Sequence, residues 1–404
     1  MKSNELLNEI GGIDEQIIEE AETICRKSKA WMRRTAAAAV CIAVIAAAVI
    51  TKPTEPPAAL LDLPFLTIGG ENMGSYGFEG FMAYDISELD SSNPWTQDDL
   101  IETLPVFMNP TKREASGVII NGLSEAEMTR KVYETAEAMG LPVDSVTTYP
   151  TAEELQKMRE KVQSIPGEED YEPYAAPTEV QAACGDVTIR VDGSGAVRIF
   201  FNSGVRLPSE YSFTYFDTNE QQANDVMWYL LEEYRAIVNM ISPALSVSGD
   251  YTYDGQRRFD FVAYENSGSL TDRILGFSFN SVKFSPDADG LLWIIDRSSY
   301  DLSQKLGDYP IISLHEAKRL FAEKHFITTV PAEYPQLETA SVELMYRTDA
   351  FGEVFMPYYR FLVELDTSGM IVHAEGLKTF GAFYVPAVES TYLTNMPLWD
   401  GRFN

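Results

Sequence analysis

Apolar residues recur three and four apart in some stretches of this chain and alternate with polar ones in others. Four helix starts carry the Ser/Thr-x-x-Glu/Gln spacing of a capping box, in which a hydroxyl accepts from the third helical amide and the partner side chain reaches back. They are Ser124 with Glu127, Thr151 with Glu154, Thr218 with Gln221, and Ser313 with Glu316. Met128, Val132, Ala136 and Met139 follow the first at helical period and stop at Gly140. Leu155, Met158 and Val162 follow the second, before Pro166. The third opens the best amphipath, running from Ala223, Val226 and Met227 through Leu230 and Leu231 to Ile237 and Val238, with Pro243 closing it. Alternation predicts hairpins in "VTIRVDGSGAVRIFF" around DGSG and in "SVSGDYTYDGQRRFDFVAYE" around DGQ. It predicts two further strands in "RILGFSFNSVKFSPDADGLLWIIDRS", then strands in "SVELMYR", "YYRFLVELDTSGMIVHAEG" and "AFYVPAV". Helices followed by strand runs predict an α+β fold with antiparallel sheets packed with helices.

The N-terminal part is patterned differently. Leu6, Ile10, Ile13, Ile17, Ala21 and Ile24 form one apolar stripe, widened by Leu7 and Ile18, with acidic residues opposite and Gly11–Gly12 interrupting it. The stripe suits either a helix packing on itself or at a membrane, or a docking helix for a cytoplasmic partner through Leu6, Ile10, Ile13 and Ile17. From Thr35 to Thr51 there are 17 uncharged residues, at the short end of the roughly 17 to 25 that a spanning helix needs. Arg26, Lys27, Lys29, Arg33 and Arg34 precede this run and only Lys52 closely follows it, which places the N-terminus in the cytoplasm. A cleaved signal peptide is the competing reading, but the patterned segment before the run favours an uncleaved anchor. The expected organisation is a tail at 1–34, a transmembrane helix at 35–51 and a proline-rich spacer at 52–64. A membrane-proximal α/β region at 65–165, an α+β ectodomain at 178–305 and a C-terminal unit at 306–404 follow.

Charge narrows the function classes. The 404 residues carry a formal net charge of −30, which argues against nucleic acid as a partner. Cys25, Cys41 and Cys184 form neither a zinc-ribbon spacing nor an even disulfide framework, and Cys184 reads as a small buried residue.

Metal and nucleophile chemistry fits poorly. "LHEAKRLFAEKH" opens with His315-Glu316 like a zinc-protease helix, but Arg319 stands where the second histidine belongs. His325 is ten residues from His315, about 80° away in azimuth and about 15 Å along a straight helix, so the two cannot share a metal. The "DADG" at Asp287 lacks the EF-hand ligands, since Leu291 and Ser298 occupy ligand positions, and reads as a hairpin turn. No catalytic residue, metal or cofactor is expected. Aromatic residues at alternate positions read first as sheet packing. Tyr358, Tyr359, Phe361 and Tyr384 are the candidate aromatic surface for a peptide or glycan.

Two resemblances add to this. The tail, the basic cluster and the apolar run resemble the cytoplasmic heads of single-pass, anti-sigma-like proteins of clostridial Gram-positive bacteria, without the zinc-binding His and Cys cluster. From Tyr309, a helix start with Ser313, Glu316 and Ala317, three strands, and a turn at Asp366 and Gly369 resemble the PepSY-like αβββ unit of the YycI and YycH regulators of a bacterial histidine kinase. That resemblance implies a non-enzymatic, membrane-anchored regulatory or sensory protein with an extracytoplasmic binding domain, working by contact with a cytoplasmic regulator or a membrane kinase. A cell-surface hydrolase and a secreted ligand-binding module are the alternatives.

Overall fold

The computed structural model describes residues 62–69, 78–113, 119, 122–330, 339–348, 352–366, 374–399 and 401. Strands β1 (Gly80–Ala83) and β2 (Thr103–Met108) precede helix α1 (Glu125–Ala138), β3 (Ser145–Tyr149) and α2 (Ala152–Gln163). Strands β4 (Glu179–Cys184), β5 (Val187–Asp192) and β6 (Val197–Val205) lead to helices α3 (Glu220–Glu233) and α4 (Arg235–Val238). Then come β7 (Pro243–Ser246), β8 (Val262–Glu265), α5 (Leu270–Phe279), β9 (Asn280–Pro286), β10 (Leu292–Ser299) and β11 (Lys305–Pro310). The last run is α6 (Leu314–Ala322), β12 (Ile327–Thr328), β13 (Thr339–Tyr346), β14 (Val354–Phe355), β15 (Pro357–Glu364) and β16 (Lys378–Pro386).

The architecture is α+β with antiparallel strand pairing. One sheet has the order β3-β4-β5-β6-β10-β9-β8-β7. Its inner face follows from strand alternation: Val187, Ile189 and Val191 are buried while Thr188, Arg190 and Asp192 between them are only half-buried. Met128, Val132 and Ala136 of α1 and Val226 and Leu230 of α3 close the same core. A second sheet has the order β1-β16-β15-β13, with β12 also on β16, and a third small sheet joins β11, β2 and β14. The second sheet is buried on both faces. Tyr359, Phe361 and Val363 share a core with Ala317, Leu320 and Phe321 of α6. Tyr358 and Leu362 point the other way, into a core with Val106, Tyr309 and Tyr392. Phe321 stacks on Phe361, with centroids 4.6 Å apart.

Local chemistry decides most element ends. The Ser124–Glu127 and Thr151–Glu154 capping boxes are both made. The α3 box forms one residue later than the spacing predicts, between Asn219 and Gln222, because the Asn219 carboxamide accepts from the Gln222 amide. Ser313 accepts from the Glu316 amide at 3.2 Å, but the Glu316 carboxylate turns to Arg319 and the box stays half made. "RILGFSF" belongs to a helix, α5, and not to a strand, because Ser269 and Asp272 cap it reciprocally. Around DGQ the predicted hairpin is reduced to an isolated bridge between Tyr251 and Arg257. At Asp287 the carboxylate accepts from the Asp289 and Leu291 amides, both at 2.9 Å, and forms the β9–β10 turn.

Two expectations about architecture need correction. No helix among the described residues is long and apolar enough to cross a membrane, and the 35–51 segment lies outside those residues. The single-pass topology, with a cytoplasmic N-terminus and an extracytoplasmic body, is therefore withdrawn. The chain is also more than a small PepSY-like αβββ unit. The meander β13-β15-β16 follows α6, but β1 and β12 extend it and an eight-stranded sheet accompanies it.

Candidate functional site

A row of directly opposed residues crosses the second sheet. Arg360 on β15 faces Glu343 on β13 in one direction and Tyr384 on β16 in the other. Directly opposed side chains on one sheet face lie close enough to interact, so register alone assembles this group. Arg360 Nε donates to Glu343 Oε2 at 2.8 Å, and Nη2 donates to the same oxygen. The other carboxylate oxygen accepts from Ser91 Oγ at 2.6 Å. The two charged side chains are 14% and 10% exposed, so the pair is largely removed from water. Burial works against the guanidinium charge, but the Glu343 carboxylate and the Tyr384 hydroxyl beside it raise the Arg360 pKa further. Burial pushes the Tyr384 hydroxyl up as well.

Of this row Arg360 lines a cleft of about 370 Å³, together with Leu362 on the same strand. Phe78, Glu79 and Phe81 form one wall, leading into and along β1. Leu89 and Ser91 come from the segment after it, and Ser246, Ser248, Gly249, Asp250, Arg258 and Asp260 from β7 and the loop beyond. Gly249 is required there: a Cβ would meet the Arg258 carbonyl oxygen at 1.7 Å. That close approach brings the Arg258 amide to the Asp250 carbonyl at 2.8 Å. It also brings the Arg258 guanidinium to the Asp250 carboxylate at 2.9 Å. Burial raises the Asp250 pKa, Arg258 opposes the rise, and Asp260 adds to it. Lys283 holds Asp260 at 3.2 Å.

Glu79 differs from these. Its amide donates to Thr329 Oγ1 at 2.8 Å, and its carbonyl accepts from the Ala382 amide at 3.1 Å. The main chain is fixed, yet the side-chain Oε2 is buried without a hydrogen-bond partner. A buried acceptor left unmade is costly.

The residues singled out from sequence fall elsewhere or deeper. Tyr358, Tyr359, Phe361 and Tyr384 are all buried. Tyr359 donates to the Ile312 carbonyl at 2.9 Å, and burial pushes its hydroxyl pKa up to about 12. Tyr358 and Tyr384 meet edge to face, with centroids 6.4 Å apart. Leu6, Ile10, Ile13 and Ile17 lie outside the described residues. His315 is exposed in the first turn of α6, and His325 Nδ1 lies 2.8 Å from the Pro397 carbonyl. Among the described residues no three His, Cys, Asp or Glu side chains converge as metal ligands. Cys184 is buried, and burial raises its thiol pKa. Sequence reasoning missed Glu79, Ser91, Asp250, Arg258, Glu343 and Arg360. One signal was present: "SVELMYR" and "YYRFLVE" each carry a charge within a strand that is apolar on both sides, and such charges go inside only in pairs.

No protein-family model matches the chain, and no curated relative matches it.

Proposed function

We propose that this protein is a non-enzymatic regulatory or sensory binding protein that acts through protein–protein contact, and that the cleft above Arg360 receives its partner or ligand. One observation carries the reading. The charged groups of the cleft are tied in pairs, Arg360 with Glu343, Arg258 with Asp250 and Lys283 with Asp260, and Glu79 is left over. Such pairing gives a stiff recognition surface of fixed shape. A hydrolytic centre needs a nucleophile beside a base. Here Ser91 Oγ donates to a carboxylate that is already held by Arg360, and no histidine lines the cleft among the described residues.

The test places a benzoylphenylalanine photo-crosslinker at Phe78, on the cleft wall, in the producing cells. Discrete protein adducts are expected, and they disappear when Ser248→Trp fills the cleft. Adducts indifferent to Ser248→Trp overturn the proposal. So does turnover of ester, amide or glycoside substrates that Ser91→Ala abolishes.

A further inference from the structure

Taking the cleft as the binding site proposed above, we infer that it receives an extended segment of a partner polypeptide, which adds as a strand to the free edge of β1. Register decides which main-chain groups are free. Strand β1 ends the second sheet, so β16 pairs only one of its edges. The Ala382 amide donates to the Glu79 carbonyl at 3.1 Å, and in an antiparallel ladder the residues that exchange such bonds alternate. Phe81 opposite Phe380 and Ala83 opposite Lys378 continue the bonded set. Gly80 and Met82 therefore turn their N–H and C=O groups away from β16.

That outer edge is already in use at one point. The Tyr251 amide donates to the Met82 carbonyl at 2.9 Å, so the segment after β7 begins to pair with β1. The two segments then diverge and the cleft opens between them, with Gly80 on one side and Ser248 and Gly249 on the other. Gly80 is half-buried, and among the described residues its outward N–H and C=O meet no hydrogen-bond partner. A strand laid along β1 takes up both groups and prolongs the pairing that Tyr251 starts. Main-chain bonds supply the affinity in this mode, and alternate side chains supply the specificity. Asp250, Arg258, Asp260 and Arg360 are tied up in ion pairs, so the free main chain sets the occupant. Phe78, Phe81 and Leu362 add apolar wall for its side chains. A space of about 370 Å³ admits a short extended segment, not a folded domain.

Two substitutions in the full chain separate the Gly80 N–H from the space around it. Gly80 does not have a left-handed backbone, and proline is tolerated on an edge strand where the N–H faces away from the ladder. Gly80→Ala and Gly80→Pro both place a Cβ against the Phe78 ring, a side chain that can turn, but only proline removes the donor. With the photo-crosslinker at Phe78 in the producing cells, the adduct yield is expected to be about 5-fold or more lower in Gly80→Pro than in Gly80→Ala. Equal yields in the two variants overturn the inference. The crosslinked segment, located by mass spectrometry, is then made as a peptide and N-methylated one amide at a time. Calorimetric titration of the full chain is expected to show weakened binding at every second amide and none at those between. A pattern without that period of two overturns strand addition, and this scan decides alone if Gly80→Pro does not fold. Adducts that Ser248→Trp abolishes but that the two Gly80 variants form equally remove the strand and leave the binding role standing. Adducts indifferent to Ser248→Trp remove the binding role itself.

Discussion

Arg360 and Glu343 illustrate how a buried pair constrains substitution. The pair is close to dry, so removing one partner strands the other charge. Arg360→Leu is expected to destabilise the protein by about 3–5 kcal/mol. Replacing both residues by leucine is expected to recover most of that loss, because two matched apolar side chains leave no charge behind. Urea unfolding of the two single variants and the double variant measures the coupling. Glu265 gives the pH counterpart. Burial would raise its pKa, but bonds from the Ile241 and Ser242 amides and from Ser267 hold it below the ordinary value of 4.5. A depressed carboxylate contributes stability above its unfolded-state pKa and loses it as pH falls through the folded-state value. Glu265→Gln is thus expected to be less stable than the parent at neutral pH, with the difference closing as pH drops below 4.5. Denaturant midpoints across that range test the sign.

At the scale of single elements, α5 joins local and tertiary demands. Gly276 lies in its middle and is buried. By intrinsic propensity Gly276→Ala would stabilise a helix by up to about 1 kcal/mol. Packing reverses this: a Cβ would meet the Glu265 carbonyl oxygen at 1.9 Å, backbone that cannot step aside. The variant is expected to lose about 1–3 kcal/mol, and thermal unfolding of parent and variant decides between the two effects. This helix was also the least legible element. Its cap uses Asp272 where the capping-box pattern asks for Glu or Gln, and its Phe-rich end mimics a strand. By contrast, Ser124 with Glu127 and the DGSG turn between β5 and β6 could be read directly, because their bonds join neighbours in sequence. The cleft could not. Glu79, Asp250 and Arg360 come from distant segments, and only the register of β13, β15 and β16 shows that Glu343, Arg360 and Tyr384 form a row.

Across the whole molecule, the charge imbalance is the dominant long-range term. A net charge of −30 on 404 residues repels itself in the compact state. Added monovalent salt screens that repulsion beyond about 10 Å at 0.1 M. The urea midpoint is expected to rise with sodium chloride, and a flat or falling dependence would show that local ion pairs outweigh the net field.

The strand that begins the second sheet meets the strand that ends it: Gly80 lies opposite Gly381 and Ala83 opposite Lys378. Nearby, Leu66 bridges Leu393 and Ile68 bonds Asn395. A contact spanning roughly 300 residues closes slowly and only after the intervening chain exists. During translation β1 therefore leaves the ribosome long before its partner is made. The second sheet can zip up only at the end of synthesis, whereas the eight-stranded sheet, complete by Ser299, can already be folded. Birth order thus separates two halves that the finished fold joins.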